Sequence, residues 1–289
     1  MTTGPPSSVV VHLSVDPATT RTIHRWCRAH GPALAARGIT ARTDPKELRD
    51  AVTGLDLRSD HGRRQLRGYV ADGGPVLWSS GQVLGPVYRF TGGDLLPAAA
   101  SAVAGIDVAT RDATRHVALT LVPHGRAVMD AYVESVRAGH AVAFDDFVAS
   151  LPRQPSWTPL VRRLVEVFGA DRVTARIAGT DTSRQVLTEA ERVLAAGPDR
   201  GPLPDPPAES RPAAPWTPRM VALTLAALPH LRSYEERGAW RRFVETRVDR
   251  ADAGSGIAPA LGLAPAQEDR LARCDAEDMA SIQALVEVR

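Results

Sequence analysis

Apolar residues in this chain fall into two alternating patterns: short unbroken runs, and longer stretches spaced three and four apart. Val9 to Ser14, Pro75 to Ser80, His116 to Val122 and Val173 to Ile177 are compact apolar runs, of the length and composition of strands buried on both faces. Between them the period is helical. Asp16-Pro17 places an N-cap residue before a proline at the first helical position and predicts a helix to about Arg37. Further helices are predicted at about Asp60 to Ala71, where Gly73-Gly74 ends the pattern, and at Leu95 to Gly105 after a glycine-rich loop. Three more follow, from His124 to about Arg137, at Phe144 to Leu151 and at Thr158 to Phe168. Alternation of this kind predicts the α/β class, a central parallel sheet with helices on both faces and right-handed crossovers.

Beyond Gly197 the pattern changes. Residues 197–218 contain eight prolines and little apolar periodicity, the marks of a linker or surface excursion. Three helical segments follow, at about Pro218 to Leu231, Tyr234 to Arg250 and Pro265 to Val288. The last two are joined by a loop containing Gly254, Gly256 and Gly262. Three helices make a thin core alone, so they are expected to cap the sheet. The expected organisation is a core over 1–196, a linker over 197–218 and C-terminal helices over 219–289, with no internal repeat.

Composition narrows the function classes without choosing one. The chain has 289 residues, 44% hydrophobic and 24% charged, which is globular. No apolar stretch approaches the roughly 18 to 20 residues of a membrane span, and residues 1–8 lack the layout of a secretion signal. A cytoplasmic protein with no membrane partner is expected, and Cys27 and Cys274 alone are too few for a disulfide framework. The net charge is +2, with Lys46 the only lysine. Arginine, alanine and proline in such excess suggest a GC-rich, actinobacterial genome. Acidic and basic residues interleave throughout, so no basic block marks a nucleic-acid partner.

Candidate chemistry is sparse. His12, His24, His61 and His124 invite a metal or general-base reading, because imidazole titrates near neutrality. None forms the i, i+4 pair with an adjacent glutamate of a helical zinc site, and no metal is expected. His124 stands out because it begins a helix at the carboxyl edge of the sheet, where α/β ligands bind. Ser79 and Ser80 lie at a strand end without a Gly-x-Ser-x-Gly elbow, and a turn cap is the simpler role. Cys27, beside Trp26, reads as a small buried hydrophobe. In the arginine-rich helix from Tyr234, the acidic Glu235, Glu236, Glu245 and Asp249 recur at helical spacing, so a solvated, ion-paired face is expected. Gly254-Ser255-Gly256 lacks the strand and helix of a dinucleotide fingerprint.

Several segments together resemble a known family. VRAGHAVAFDDFVASL and LVRRLVEVFGADRVTARI, within Val136 to Ile177, are similar to a run in bacterial sulfotransferase-like proteins of the P-loop fold, which use 3′-phosphoadenosine 5′-phosphosulfate (PAPS). LAPAQEDRLARCDAEDMASIQALV, Leu263 to Val286, looks like their terminal helix, and VHLSVDPATT, Val11 to Thr20, lies where their first strand and phosphate loop would be. The resemblance implies that the first strand-to-helix turn holds the 5′-phosphosulfate. In the family that turn usually reads Pro-Lys-Thr-Gly-Thr-Thr, whereas this chain has Asp16-Pro17-Ala18-Thr19-Thr20-Arg21. The lysine that neutralises the oxyanion and the glycine that lets backbone amides close on it are both absent, and Asp16 as N-cap would repel a phosphate. At the family's 3′-phosphate site, the arginine and serine correspond to Pro123 and Asp130. Where the second strand often ends Ser-Ser-Glu, this chain has Ser79-Ser80-Gly81.

The resemblance therefore implies a sulfotransferase-like protein with a degraded PAPS site and no cofactor, repurposed for another small-molecule reaction or binding role in bacterial specialised metabolism. Two alternatives stand beside it. One is an active PAPS-dependent enzyme rebuilt on Thr19, Thr20, Arg21 and Arg126, and the other is a non-catalytic scaffold. Small-molecule recognition is expected in each case except the last, and a homo-oligomer is open. The site is expected between the first and central strand ends, where Asp16, Thr19, Thr20, Arg21, Ser79, Ser80, His124, Arg126 and Asp130 would converge. His124 and Asp130 are the candidate acid/base pair, with a ligand or water bridging them. Alternatively, Asp130 pairs with Arg126 at i, i+4.

Overall fold

A computed structural model describes residues 8–43, 59–70, 74–81, 83–85, 87, 95–179, 181–194, 204, 216–248 and 262–286. Five parallel strands form one sheet: β1 (Ser8–Ser14), β2 (Thr40–Arg42), β3 (Val76–Ser80), β4 (Thr114–Leu121) and β5 (Val173–Ile177), in the order β2-β3-β1-β4-β5. The α/β parallel class expected from the alternation is the observed one. Four strands lie where the apolar runs put them. The fifth, β2, is only three half-buried residues at the sheet edge, too short to leave a periodic signal.

Side chains alternate strictly between two faces, as the pleat requires. Val9, Val11 and Leu13 of β1 join Val117, Leu119 and Leu121 of β4 in the larger apolar cluster. That cluster is completed by α3 (Asp60–Val70), α4 (Ala99–Thr110), α5 (His124–Arg137), α6 (Phe144–Ala149) and α7 (Thr158–Phe168). Val10, Leu77 and Ala118 face the other way, into a smaller cluster made by α1 (Pro17–Ala29), α2 (Gly31–Ala36) and α8 (Thr182–Leu194). The first predicted helix is thus two. Gly31-Pro32 interrupts it at His30, since proline cannot donate to the preceding turn.

The C-terminal helices are α9 (Pro218–Ala227), continued by a 3-10 turn over Leu228–His230, α10 (Tyr234–Arg247) and α11 (Pro265–Leu285). α11 packs on α5 and α7, and α9 packs on α5. Leu271, Cys274, Asp278 and Ile282 form the buried stripe of α11. Most of the predicted linker, the loop with Gly254 and Gly256, Gly73, and the ends of the helices drawn to Ala71, Arg250 and Val288 lie outside the described residues. Among the described residues, no helix is long and apolar enough to cross a membrane.

Candidate functional site at the carboxyl edge of the sheet

β1 and β4 are neighbours, and the helices that leave them diverge. α1 crosses one face of the sheet and α5 begins on the other, which opens the topological crevice where ligands of α/β sheets bind. Asp16 and Arg126 meet across it. Asp16 is the N-cap of α1, and Pro17 at the next position favours the helix start. Its Oδ1 accepts from Ala18 N at 3.2 Å, and its Oδ2 accepts from Thr19 N at 3.0 Å and Thr19 Oγ1 at 2.6 Å. Arg126 Nη2, from the first turn of α5, donates to Oδ1 at 2.7 Å. The rest of Asp16 is tied down too. Its amide donates to Ser14 Oγ at 2.9 Å, and its carbonyl accepts from Ser14 Oγ and Thr20 Oγ1. The side chain is buried, so the carboxylate takes the amides and the cation that an oxyanion would need.

Arg126 is half-exposed and bridges outward to Asp130, with Nε 3.6 Å from Asp130 Oδ2. Burial raises the Asp130 pKa and the Arg126 charge opposes that rise, while the negative charges of Asp16 and Glu134 add to it. Of the predicted site residues, Asp16, Thr19, Thr20, Arg126 and Asp130 therefore form one connected group. Arg21 is exposed on the outer side of α1. Ser80 Oγ accepts from Val83 N at 3.2 Å, a turn cap. Gly81 is glycine for a steric reason, because a Cβ there would stand 2.7 Å from Thr20 Oγ1 and 3.4 Å from Ser14 O.

Ser79 turns beneath the crevice. Its Oγ lies 2.9 Å from His12 Nδ1, and His12 Nε2 lies 3.2 Å from Thr120 Oγ1. His24 Nε2 hydrogen-bonds to Ser79 O at 3.0 Å. Burial brings the His12 pKa down to about 3, helped by the nearby His24 and Arg176 and opposed by Asp16. The imidazole is neutral at physiological pH. His61 is exposed on α3. Among the described residues, no group of three or more His, Cys, Asp or Glu is arranged to hold a metal ion.

His124 takes partners that spacing did not suggest. Its amide donates to Asp275 Oδ1 at 2.9 Å, its Nε2 lies 2.9 Å from Asp278 Oδ2, and its ring stacks on Trp157 at 4.9 Å with planes 10° apart. Both aspartates belong to α11. Asp278 also accepts from Ser156 Oγ at 2.5 Å, Trp157 N at 2.6 Å and Thr158 Oγ1 at 2.7 Å. Burial alone would raise the Asp278 pKa, but these donors outweigh it and bring it to about 2. One helix thus supplies carboxylates to the N-termini of two others, α5 and α7. His124 contacts Asp278, and Asp130 contacts Arg126, so the two candidate acid/base residues are committed to different partners.

A second buried group was also missed. On β5 and α8, Arg176 and Glu189 form an ion pair, with Glu189 Oε1 2.8 Å from His116 Nε2 and accepting from Thr174 Oγ1 at 2.8 Å. Burial would raise the Glu189 pKa, but the His116, Arg176 and Thr174 contacts hold it well below the usual carboxylate range. The signal for these residues is a polar side chain inside an apolar stripe. Asp278 continues the spacing of Leu271, Cys274 and Ile282, and Arg176 is a charged residue within a buried strand. Compared with known proteins, the chain matches no family model, no curated protein and no solved structure.

Proposed function

We propose that this chain is a sulfotransferase-like protein that has given up PAPS and handles another small molecule at the same crevice, without a cofactor. The observation that supports this reading is Asp16. Its carboxylate sits on the Ala18 and Thr19 amides and on Arg126, the donors that a phosphosulfate would require at the first turn. A phosphate dianion within about 4 Å of that carboxylate meets a repulsion of roughly 1 to 4 kcal/mol per unit charge pair. It also lacks preorganised donors worth roughly 3 kcal/mol each at a leaving phosphate. What the crevice offers instead is the half-exposed Arg126 and Asp130 pair, suited to a ligand that carries both a donor and an acceptor.

One observation favours a second reading. Arg126 stands at the turn, where it could replace the family's lysine in a divergent PAPS-dependent enzyme. Calorimetry with adenosine 3′,5′-bisphosphate separates the two. No binding is expected to the native chain, and micromolar binding would overturn the proposal. Asp16→Gly exposes the amides and releases Arg126, so this variant is expected to gain millimolar affinity for inorganic sulfate.

A further inference from the structure

Helix α10 is held to the molecule by a few contacts at its edge. Val244 is its one fully buried residue. Glu245 pairs with Arg137 of α5 at 2.8 Å, and Trp240 Nε1 donates to Thr224 Oγ1 of α9 at 3.3 Å. Elsewhere the helix faces outward, and there Ala239, Trp240 and Phe243 line a shallow apolar groove with Leu231 from the preceding turn. Phe243 is 50% exposed, and its ring lies 5.5 Å from that of Trp240. Two adjacent aromatic rings on an open helix face form a patch, unlike a scattered surface apolar residue.

Charge on that face has a direction. At about 100° per residue, Glu236, Trp240, Phe243 and Arg247 fall within one strip roughly 60° wide. Glu236, whose Oε2 caps the Arg232 and Ser233 amides and whose Oε1 is left to face outward, ends the strip toward the helix N-terminus, and Arg247 ends it toward the C-terminus, both exposed. The strip is complementary to its own reverse. In an antiparallel pairing of two such helices, the register that sets Glu236 opposite the second copy's Arg247 also sets Trp240 opposite the second copy's Phe243. A two-fold axis then makes each contact twice. Parallel pairing would oppose like charges, and it would align the helix dipoles instead of opposing them.

We propose that this strip of α10 is the interface of an isologous homodimer, its occupant a second copy of the same chain. An isologous contact requires a patch that matches itself after a two-fold rotation, which the order acidic, aromatic, aromatic, basic provides. α10 spans about 21 Å at 1.5 Å per residue. An interface of that extent falls near about 1,200 Å², the lower end for specific complexes. A weak dimer, with association in the micromolar range, is the expected outcome.

Sedimentation equilibrium of the full chain across the micromolar range tests this. The mass is expected to rise from that of one chain, 30.9 kDa, toward twice that value. Phe243→Glu is expected to remain a monomer with an unchanged circular dichroism spectrum, since the side chain is half-exposed. Arg247→Glu is expected to weaken the dimer by roughly tenfold or more. Register is read separately. A mixture of Trp240→Cys and Phe243→Cys chains should cross-link on mild oxidation, whereas a mixture of Trp240→Cys and Glu235→Cys should not, because position 235 lies off the strip; the native Cys27 and Cys274 are buried and give no background. A chain that stays monomeric at every concentration overturns the proposal and leaves the face to another segment or another protein. A dimer indifferent to Phe243→Glu also overturns it.

Discussion

Asp278 accepts hydrogen bonds from a ring nitrogen, two hydroxyls and two amides, and the side chain is buried. Replacing it by alanine leaves the Trp157 amide and the His124 ring nitrogen without that acceptor, a loss of about 3–5 kcal/mol. The urea midpoint should fall accordingly. His12 sets a pH dependence of its own. Its pKa falls from 6.5 to about 3 on folding, so the unfolded chain takes up a proton that the native chain refuses. That contribution is complete above pH 6.5 and is lost as pH falls toward 3. Between pH 7 and 4 it amounts to about 3 kcal/mol. His12→Asn keeps a polar side chain beside Ser79 and cannot titrate. Urea midpoints of this variant should fall less steeply over that window, and equal slopes in the two proteins would show that His12 is not the group responsible.

At the scale of elements, the start of α1 and the end of β3 are one unit. Thr20 Oγ1 bonds back to Asp16 O at 3.2 Å and leaves no room for a side chain at position 81. Gly81→Ala forces the two segments apart and should cost about 1–3 kcal/mol. Thr20→Ala removes the clash at the cost of one hydrogen bond. The double variant is therefore expected to be more stable than the sum of the single changes implies, by at least about 0.5 kcal/mol. Strict additivity in thermal unfolding would place the strain elsewhere. The same unit explains why Asp16 is so well satisfied, because Ser14, Thr19 and Thr20 all converge on it from one turn.

Across the whole molecule, the sheet has one apolar face and one that turns polar, where His12, Ser79, Thr120 and Arg176 stand in neighbouring strands beneath α1 and α8. Arg176 and Glu189 anchor α8 there at the edge of the sheet. Arg176→Met takes the buried cation from Glu189, which keeps only His116, Thr174 and the more exposed Arg192, and should destabilise by about 3 kcal/mol, whereas adding Glu189→Leu should recover most of that, since a buried pair is seldom better than an apolar replacement. Denaturant titrations of the two variants decide the point. A double variant as unstable as the single would mean that His116 and Thr174 depend on Glu189 for the fold of β5.

Local signals were enough for much of the architecture. Unbroken apolar runs identified β1, β3, β4 and β5, and Asp16-Pro17 marked the start of α1, because both depend on residues adjacent in the chain. The self-capping of Asp16 was legible for the same reason. Tertiary structure alone decided which distant groups meet. Arg126 reaches Asp16 from 110 residues away, and Asp278 reaches His124 from 154 residues away. Spacing along one helix can propose Arg126 with Asp130, but it has no means of bringing α11 across the N-termini of α5 and α7. Nor could three residues of β2 declare themselves, since an edge strand is defined by the neighbour it bonds to and not by its own period.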